Sequence, residues 1–342
     1  MDIYHREASL SSSMIYDVEF NSAGQVPSAG ILQAAKMADE KGFGTVWKGE
    51  SNSRDPTAIL PAIAAVTKRV RVGTAVIHIY ARTPVETGIF AATMDELSNG
   101  RSVLGLGVAN DTLAAWHGLK SGHPLRRAEE YIGIVRKVFA AERLQLQGEY
   151  YSSNNFRLEF KPPGTHLQII LAALGPKMGQ LAGRIADGAI INMADPGRIA
   201  FVAENLATGA KEAGRNPKSL EIVAKVRVSL NKDIEKAKDA LKKVVTFYSL
   251  AQHYRDMLAE MGLADEVKKI QETYKISGFK VAAKVVTDDM LSRIPVVPAT
   301  TIGELKKGLD KYNRSGASRI IVAYVPSTEK STEETVGFIR SW

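Results

Sequence analysis

Three carboxylates stand where a short apolar run gives way to polar residues: Glu19 in MIYDVEFN, Glu50 in GTVWKGES and Asp111 in VLGLGVAND. A carboxyl group at the lip of an apolar cavity can hold, take or give a proton, since burial and a second carboxylate nearby both favour its neutral form. Glu19 and Glu50, on neighbouring strands, are therefore expected as a pair, with Asp111 as the third acid in reach. A plainer reading competes, in which Glu50 only orders its loop through Arg54 and Glu19 binds backbone amides. For Glu50 the plainer reading leads, and for Glu19 the catalytic one does.

The glycines of VLGLGVAND raise a second question, because only a missing side chain lets another group lie against the backbone. Gly107 and Asn110 are candidate ligand contacts on that ground, with Ser327 beside them. GPKM makes a stronger case: Gly175, Pro176 and Lys177 start a helix whose free N–H groups, dipole and lysine charge suit a phosphate. The alternative there is a plain proline-initiated helix. His78 and Tyr80 follow the third strand and are read as substrate contacts, while Trp116 and Trp47 are candidates for the wall of a ring pocket. His78, His117, His123 and His166 lack the short spacing of metal ligands, so no metal is expected.

These residues need strands and helices to hold them. MIYDVEF, GTVWKG, VRVGTAVI and RSVLGLGV alternate with helical segments, among them DPTAILPAIAAVTKRV, which opens on an Asp55 cap and Pro56. The rhythm pauses over residues 112–165, where a helix and a hairpin-like QGEYYSSNNFRLEFKPPG intervene. It resumes with LQIILAAL, GAIINMA and EIVAKVRVSL, pauses again over residues 245–289, and ends on SRIIVAYV. Eight strands over this length predict a (β/α)8 TIM barrel of one domain, residues 1–342, with two insertions, ahead of an open doubly wound sheet. In such a barrel the site forms at the C-terminal ends of the strands. That selects Glu19 and Asn21, then residues 48–52, 74–78, 107–111, 173–177, 192–195 and 324–327.

Composition narrows the chemistry. The 342 residues are 45% hydrophobic and 24% charged, as in a globular protein, and they include no cysteine. Disulfides, thiolate metal sites and cysteine nucleophiles are thereby excluded, leaving redox chemistry to a bound cofactor. The net charge of +8 comes largely from lysines on helical faces such as KDIEKAKDALKKV, and no compact basic stripe points to nucleic acid. Neither a signal peptide nor an apolar run of about 20 residues is apparent, so a cytoplasmic protein off the membrane is expected.

Taken in order, GFGTVWKGESNSRDP, RVRVGTAV, ATMDELSNGRSVLGLG, GPKM, ADGAIIN and GAKEAGRNP resemble the bacterial luciferase-like superfamily. The likeness is greatest to its deazaflavin-dependent branch, typified by methylenetetrahydromethanopterin reductase, and covers roughly residues 14–231 before returning at GLDKYNRSGASRIIVAY. The resemblance implies a barrel, coenzyme F420 across the strand ends, hydride transfer to a small or pterin-like substrate, and a homodimer or higher homo-oligomer. It also implies a non-prolyl cis peptide between Ala75 and Val76 behind the ring. The cofactor contacts it suggests are Thr74, Ala75, Val76, Gly107, Asn110, Gly175, Pro176, Lys177 and Asn192. Two departures stand out: Glu50 and Ser51 replace Asp-His after the second strand, and Gly107 to Asn110 replace Gly-Pro-Gly-Asp after the fourth. Two alternatives remain, an FMN-dependent monooxygenase and a non-catalytic barrel that binds flavin or a partner.

Overall fold

A computed structural model describes residues 14–20, 26–108, 111–120 and 122–342. Asn21 and Asn110 lie outside them. Numbering only the barrel strands, these are β1 (Ile15–Glu19), β2 (Thr45–Lys48), β3 (Arg71–Thr74), β4 (Ser102–Gly107), β5 (Gln168–Ala172), β6 (Gly188–Asn192), β7 (Glu221–Leu230) and β8 (Arg319–Tyr324). Each pairs in parallel with the next, and β8 pairs with both β7 and β1. The sheet therefore closes, which rules out the open doubly wound alternative.

Local chemistry starts and stops the helices between strands. Asp55 accepts the Thr57 N–H at 2.7 Å ahead of Pro56, as its position predicts. Thr83 and Glu86 form a reciprocal capping box around Pro84, and Gly42 ends the first helix in the left-handed region at φ 79°. The first pause holds helices Asp111–Trp116 and Pro124–Phe139 and an antiparallel hairpin of Leu144–Gln147 with Ser152–Phe156. The second holds helices Ile234–Ser249, Gln252–Glu260, Ala264–Ala283 and Asp288–Arg293. One strand was not anticipated: Val296–Ala299 pairs in parallel with Arg227–Leu230, where β7 extends past its neighbours. No helix among the described residues is long and apolar enough to cross a membrane.

The barrel interior is layered, as inward side chains of alternate strands require. At the N-terminal ends, Arg319 grips Asp17 at 2.6 and 3.0 Å and also donates to Thr45. Above lies an apolar layer of Trp47, Ala75, Val103, Ile170, Ile190, Val223 and Ile321. Trp47 is fully buried there, its indole N–H donating to Asp17 at 3.0 Å. It is core, which removes it from the candidate ring pocket. Above this layer, toward the C-terminal ends, sits a second set of charges.

Candidate active site at the C-terminal rim of the barrel

Glu19 closes β1 with its side chain pointing into the barrel and no exposure to solvent. Lys225 of β7 reaches it from across the interior, Nζ lying 2.5 Å from Oε1, and the same ammonium donates to the Ala75 carbonyl at 3.3 Å. The other carboxylate oxygen, Oε2, is buried with no hydrogen-bond partner among the described residues. Lys48, at the end of β2, is also fully buried and donates to the Gly49 carbonyl at 2.9 Å and Ser53 at 3.1 Å. Burial pushes both ammonium groups down to about 8, with Glu19 opposing the shift in each.

The peptide between Ala75 and Val76 is cis, at the position expected. The surrounding chain holds this bulge through its backbone: Ala75 N–H donates to Lys48 at 3.1 Å, and Glu50 N–H donates to the Val76 carbonyl at 3.0 Å. The glycines of VLGLG find their reason here. A Cβ on Gly107 would lie 2.8 Å from Val76 Cγ2 and 3.1 Å from Ala172 Cβ. What comes close to Gly107 in this fold is the bulge of the chain itself. Thr74 is 1% exposed, and its hydroxyl is engaged with Gly105.

Glu50 forms no carboxylate pair with Glu19. Its Oε1 takes Arg82 Nε at 2.9 Å and its Oε2 takes the backbone N–H of His78 at 2.8 Å, while Arg82 continues to Asp55. Glu50 thus orders the loop, as the plainer reading had it, with Arg82 in the place given to Arg54. His78 is buried in the short strand Ile77–His78, and its Nδ1 has no hydrogen-bond partner among the described residues. Burial lowers its pKa, and the Glu50 carboxylate, 3.7 Å from Nδ1, acts the other way.

The sequence profile of the family described as Luciferase-like monooxygenase matches residues 14–319. The chain belongs to this family. It is 33% identical over 238 residues to the 5,10-methylenetetrahydromethanopterin reductase of Methanolobus tindarius, spanning 68% of this chain and 71% of that protein. The reductase of the same name from Archaeoglobus fulgidus is 29% identical over 292 residues, spanning 84% and 86%. The solved coenzyme F420 dependent tetrahydromethanopterin reductase from Methanopyrus kandleri superposes with a TM-score of 0.82 at 22% identity, over 95% of this chain and 97% of that one. At that identity the superposition speaks for the fold. Within the luciferase-like family, then, the chain is related to the methylenetetrahydromethanopterin reductase branch.

The remaining candidates of this luciferase-like barrel divide between the strand ends and the segments that interrupt the strand and helix rhythm. Gly175 caps the helix Pro176–Ile185 with no side-chain hydrogen bond, and a Cβ built on it meets nothing within 4 Å. Pro176 and Lys177 beside it are exposed. Asn192 ends β6 and donates to Tyr254 at 2.6 Å, while its carbonyl takes Arg227 of β7. Arg227 also reaches the Tyr248 hydroxyl. Tyr80 donates to the Gly122 carbonyl at 3.1 Å, and Arg127 lies over its ring. Trp116 is 49% exposed, with its ring 6.4 Å from that of Phe247 in the second insertion. Asp111 opens the helix Asp111–Trp116. Ser327 is taken up by Glu334 and Asn231.

Lys225 and Arg227 escaped the sequence reading, although a signal was present. In EIVAKVRVSL the two cations stand two apart in an otherwise apolar strand, which puts both on one face. The Asp17 and Glu19 of IYDVE repeat the pattern. Spaced charges inside a barrel strand are costly unless they meet a partner in the interior.

Proposed function

We infer that the chain is a coenzyme F420-dependent oxidoreductase that moves hydride between the deazaflavin and a small or pterin-like organic substrate. The observation that carries this reading is the Glu19–Lys225 pair seated directly on the carbonyl of the Ala75–Val76 bulge. Its relatives, named as methylenetetrahydromethanopterin reductases, support the same reaction class.

The residues present fit such a coenzyme. Glu19 Oε2 is a buried oxygen with an open hydrogen-bonding position, and the helix start at Gly175 has free space before it and Lys177 beside it. Thr74, Ala75 and Val76 would back the ring. Gly175, Pro176 and Lys177 would hold the anionic tail through backbone N–H groups and one ammonium charge, with Gly107 and Asn192 at the rim between. When bound, the deazaflavin supplies a ring carbon that gives or accepts hydride. Glu19 exchanges a proton at Oε2, its charged form matched by Lys225. His78 contacts the substrate together with Tyr80 and Trp116. The two insertions roof the site and exclude water. The enzyme works in the cytoplasm as a homo-oligomer, which light scattering on the purified chain tests.

Titration with F420 and with FMN checks the reading. F420 fluorescence should be quenched to saturation and FMN should bind at least tenfold more weakly. Reduced F420 should be reoxidised by 5,10-methylenetetrahydromethanopterin or by a small carbonyl or imine. Tight FMN binding with oxygen consumption would replace this reading with a monooxygenase. A folded protein that binds neither would be a non-catalytic barrel.

A further inference from the structure

Lys225 does more than neutralise a charge. Its ammonium joins three strands at one point, coming from β7 to meet the carboxylate at the end of β1 and the carbonyl just past β3. A lysine suits this task because a compact ammonium can aim its separate N–H bonds at acceptors in different directions. Glu19 is left with one oxygen clamped and the other, Oε2, open. Among the described residues two more cations lie nearby: Lys48, at the end of β2, interacts with Glu19, and Arg227, two residues along β7, acts on Lys225. Arg54 and Asp55 act on Lys48 from the loop beyond, and the facing residue of β8, Ala323, carries no charge.

We propose that Lys225 is the positioning residue of the hydride site, clamping Glu19 Oε1 to the Ala75 carbonyl so that Glu19 presents a carboxylate through Oε2. This rests on the reading that Glu19 faces the reacting centre. With Lys225 removed, burial at zero exposure shifts the balance of Glu19 toward the neutral acid, and Lys48 is the neighbouring cation left to oppose it. Lys225 therefore fixes both the direction and the charge of the group that exchanges the proton.

The test compares the parent with Lys225→Met and Lys225→Arg, with Lys225→Gln replacing the Met variant should that one not fold. Infrared difference spectra of the proteins without coenzyme, each against its own Glu19→Gln counterpart, report a protonated carboxyl group directly. The band should be absent from the parent and Lys225→Arg at pH 6 to 7 and present in Lys225→Met. The F420 dissociation constant, as a ratio of variant to parent, should change about tenfold between pH 6 and 8 for Lys225→Met and stay level for Lys225→Arg. A folded Lys225→Met protein with no carboxyl band and a level ratio would overturn the assignment and leave Lys225 a packing residue. Failure of the parent to bind F420 would instead sink the functional reading, and the infrared comparison would still decide the clamp.

Discussion

Thr74 Oγ1 bridges both backbone groups of Gly105, accepting its N–H and donating to its carbonyl at 2.7 Å each. The reason lies in the ladder between β3 and β4. Val72 and Gly73 pair with Ser102 and Val103, and pairing resumes only at Ile77 with Leu106. Between them the bulge leads the chain away, and one hydroxyl stands in for the missing strand. Gly105 must lack a side chain, since a Cβ there would lie 1.9 Å from the Thr74 carbonyl oxygen.

Thr74→Val keeps the shape and removes the bridge, leaving two buried backbone groups unpaired. It should cost about 2–4 kcal/mol in urea unfolding, while Thr74→Ser should remain within about 1 kcal/mol of the parent. A Val variant as stable as the parent would show that water or backbone movement satisfies Gly105 instead.

The buried lysines set a pH dependence of stability. Lys48 and Lys225 fall from an ordinary value of 10.5 to about 8, so above about pH 8 the folded protein sheds protons that the unfolded chain retains. Stability from these two groups should then rise with pH from about 8. The buried tyrosines Tyr131, Tyr312 and Tyr324 and the half-buried Tyr254 are raised above 10 by desolvation and act the other way once pH passes about 10. Urea unfolding at pH 7.5, 8.5 and 9.5 should give a smaller upward slope for Lys48→Met than for the parent. Equal slopes would show that Lys48 keeps its proton in the folded state.

Glu19→Gln retains the volume of the side chain and loses its charge and proton. The single-turnover hydride rate should fall by about 10²- to 10⁴-fold, with F420 affinity within a few-fold of the parent. The parental rate in a folded variant would take Glu19 out of the mechanism.

Lys177→Ala reads out the anionic tail. Loss of one ammonium contact at the rim should weaken F420 roughly tenfold and leave the melting temperature unchanged, because Lys177 is exposed. The tailless deazaflavin should bind parent and variant alike, and equal F420 affinity in the two proteins would move the phosphate elsewhere.

By itself the sequence determined the strand and helix rhythm and the helix starts at Asp55 and Gly175, and its family resemblance implied the place of the cis bulge. Caps and turns are decided within a few residues, by which N–H groups need a partner and which φ angles a side chain allows. Charge partners were another matter. Glu50 found Arg82 rather than Arg54, and Glu19 found Lys225, 206 residues away. Strand periodicity does say that Lys225 and Arg227 share a face. In a parallel barrel, however, both faces of a strand are buried and both read as apolar, so the pattern does not tell inward from outward. Trp47 entered the core for the same reason, and the Val296–Ala299 strand formed because β7 runs on past its neighbours. Only closure of the barrel sets which long side chain meets which carboxylate, since that depends on strand order, register and the reach of a lysine across the interior.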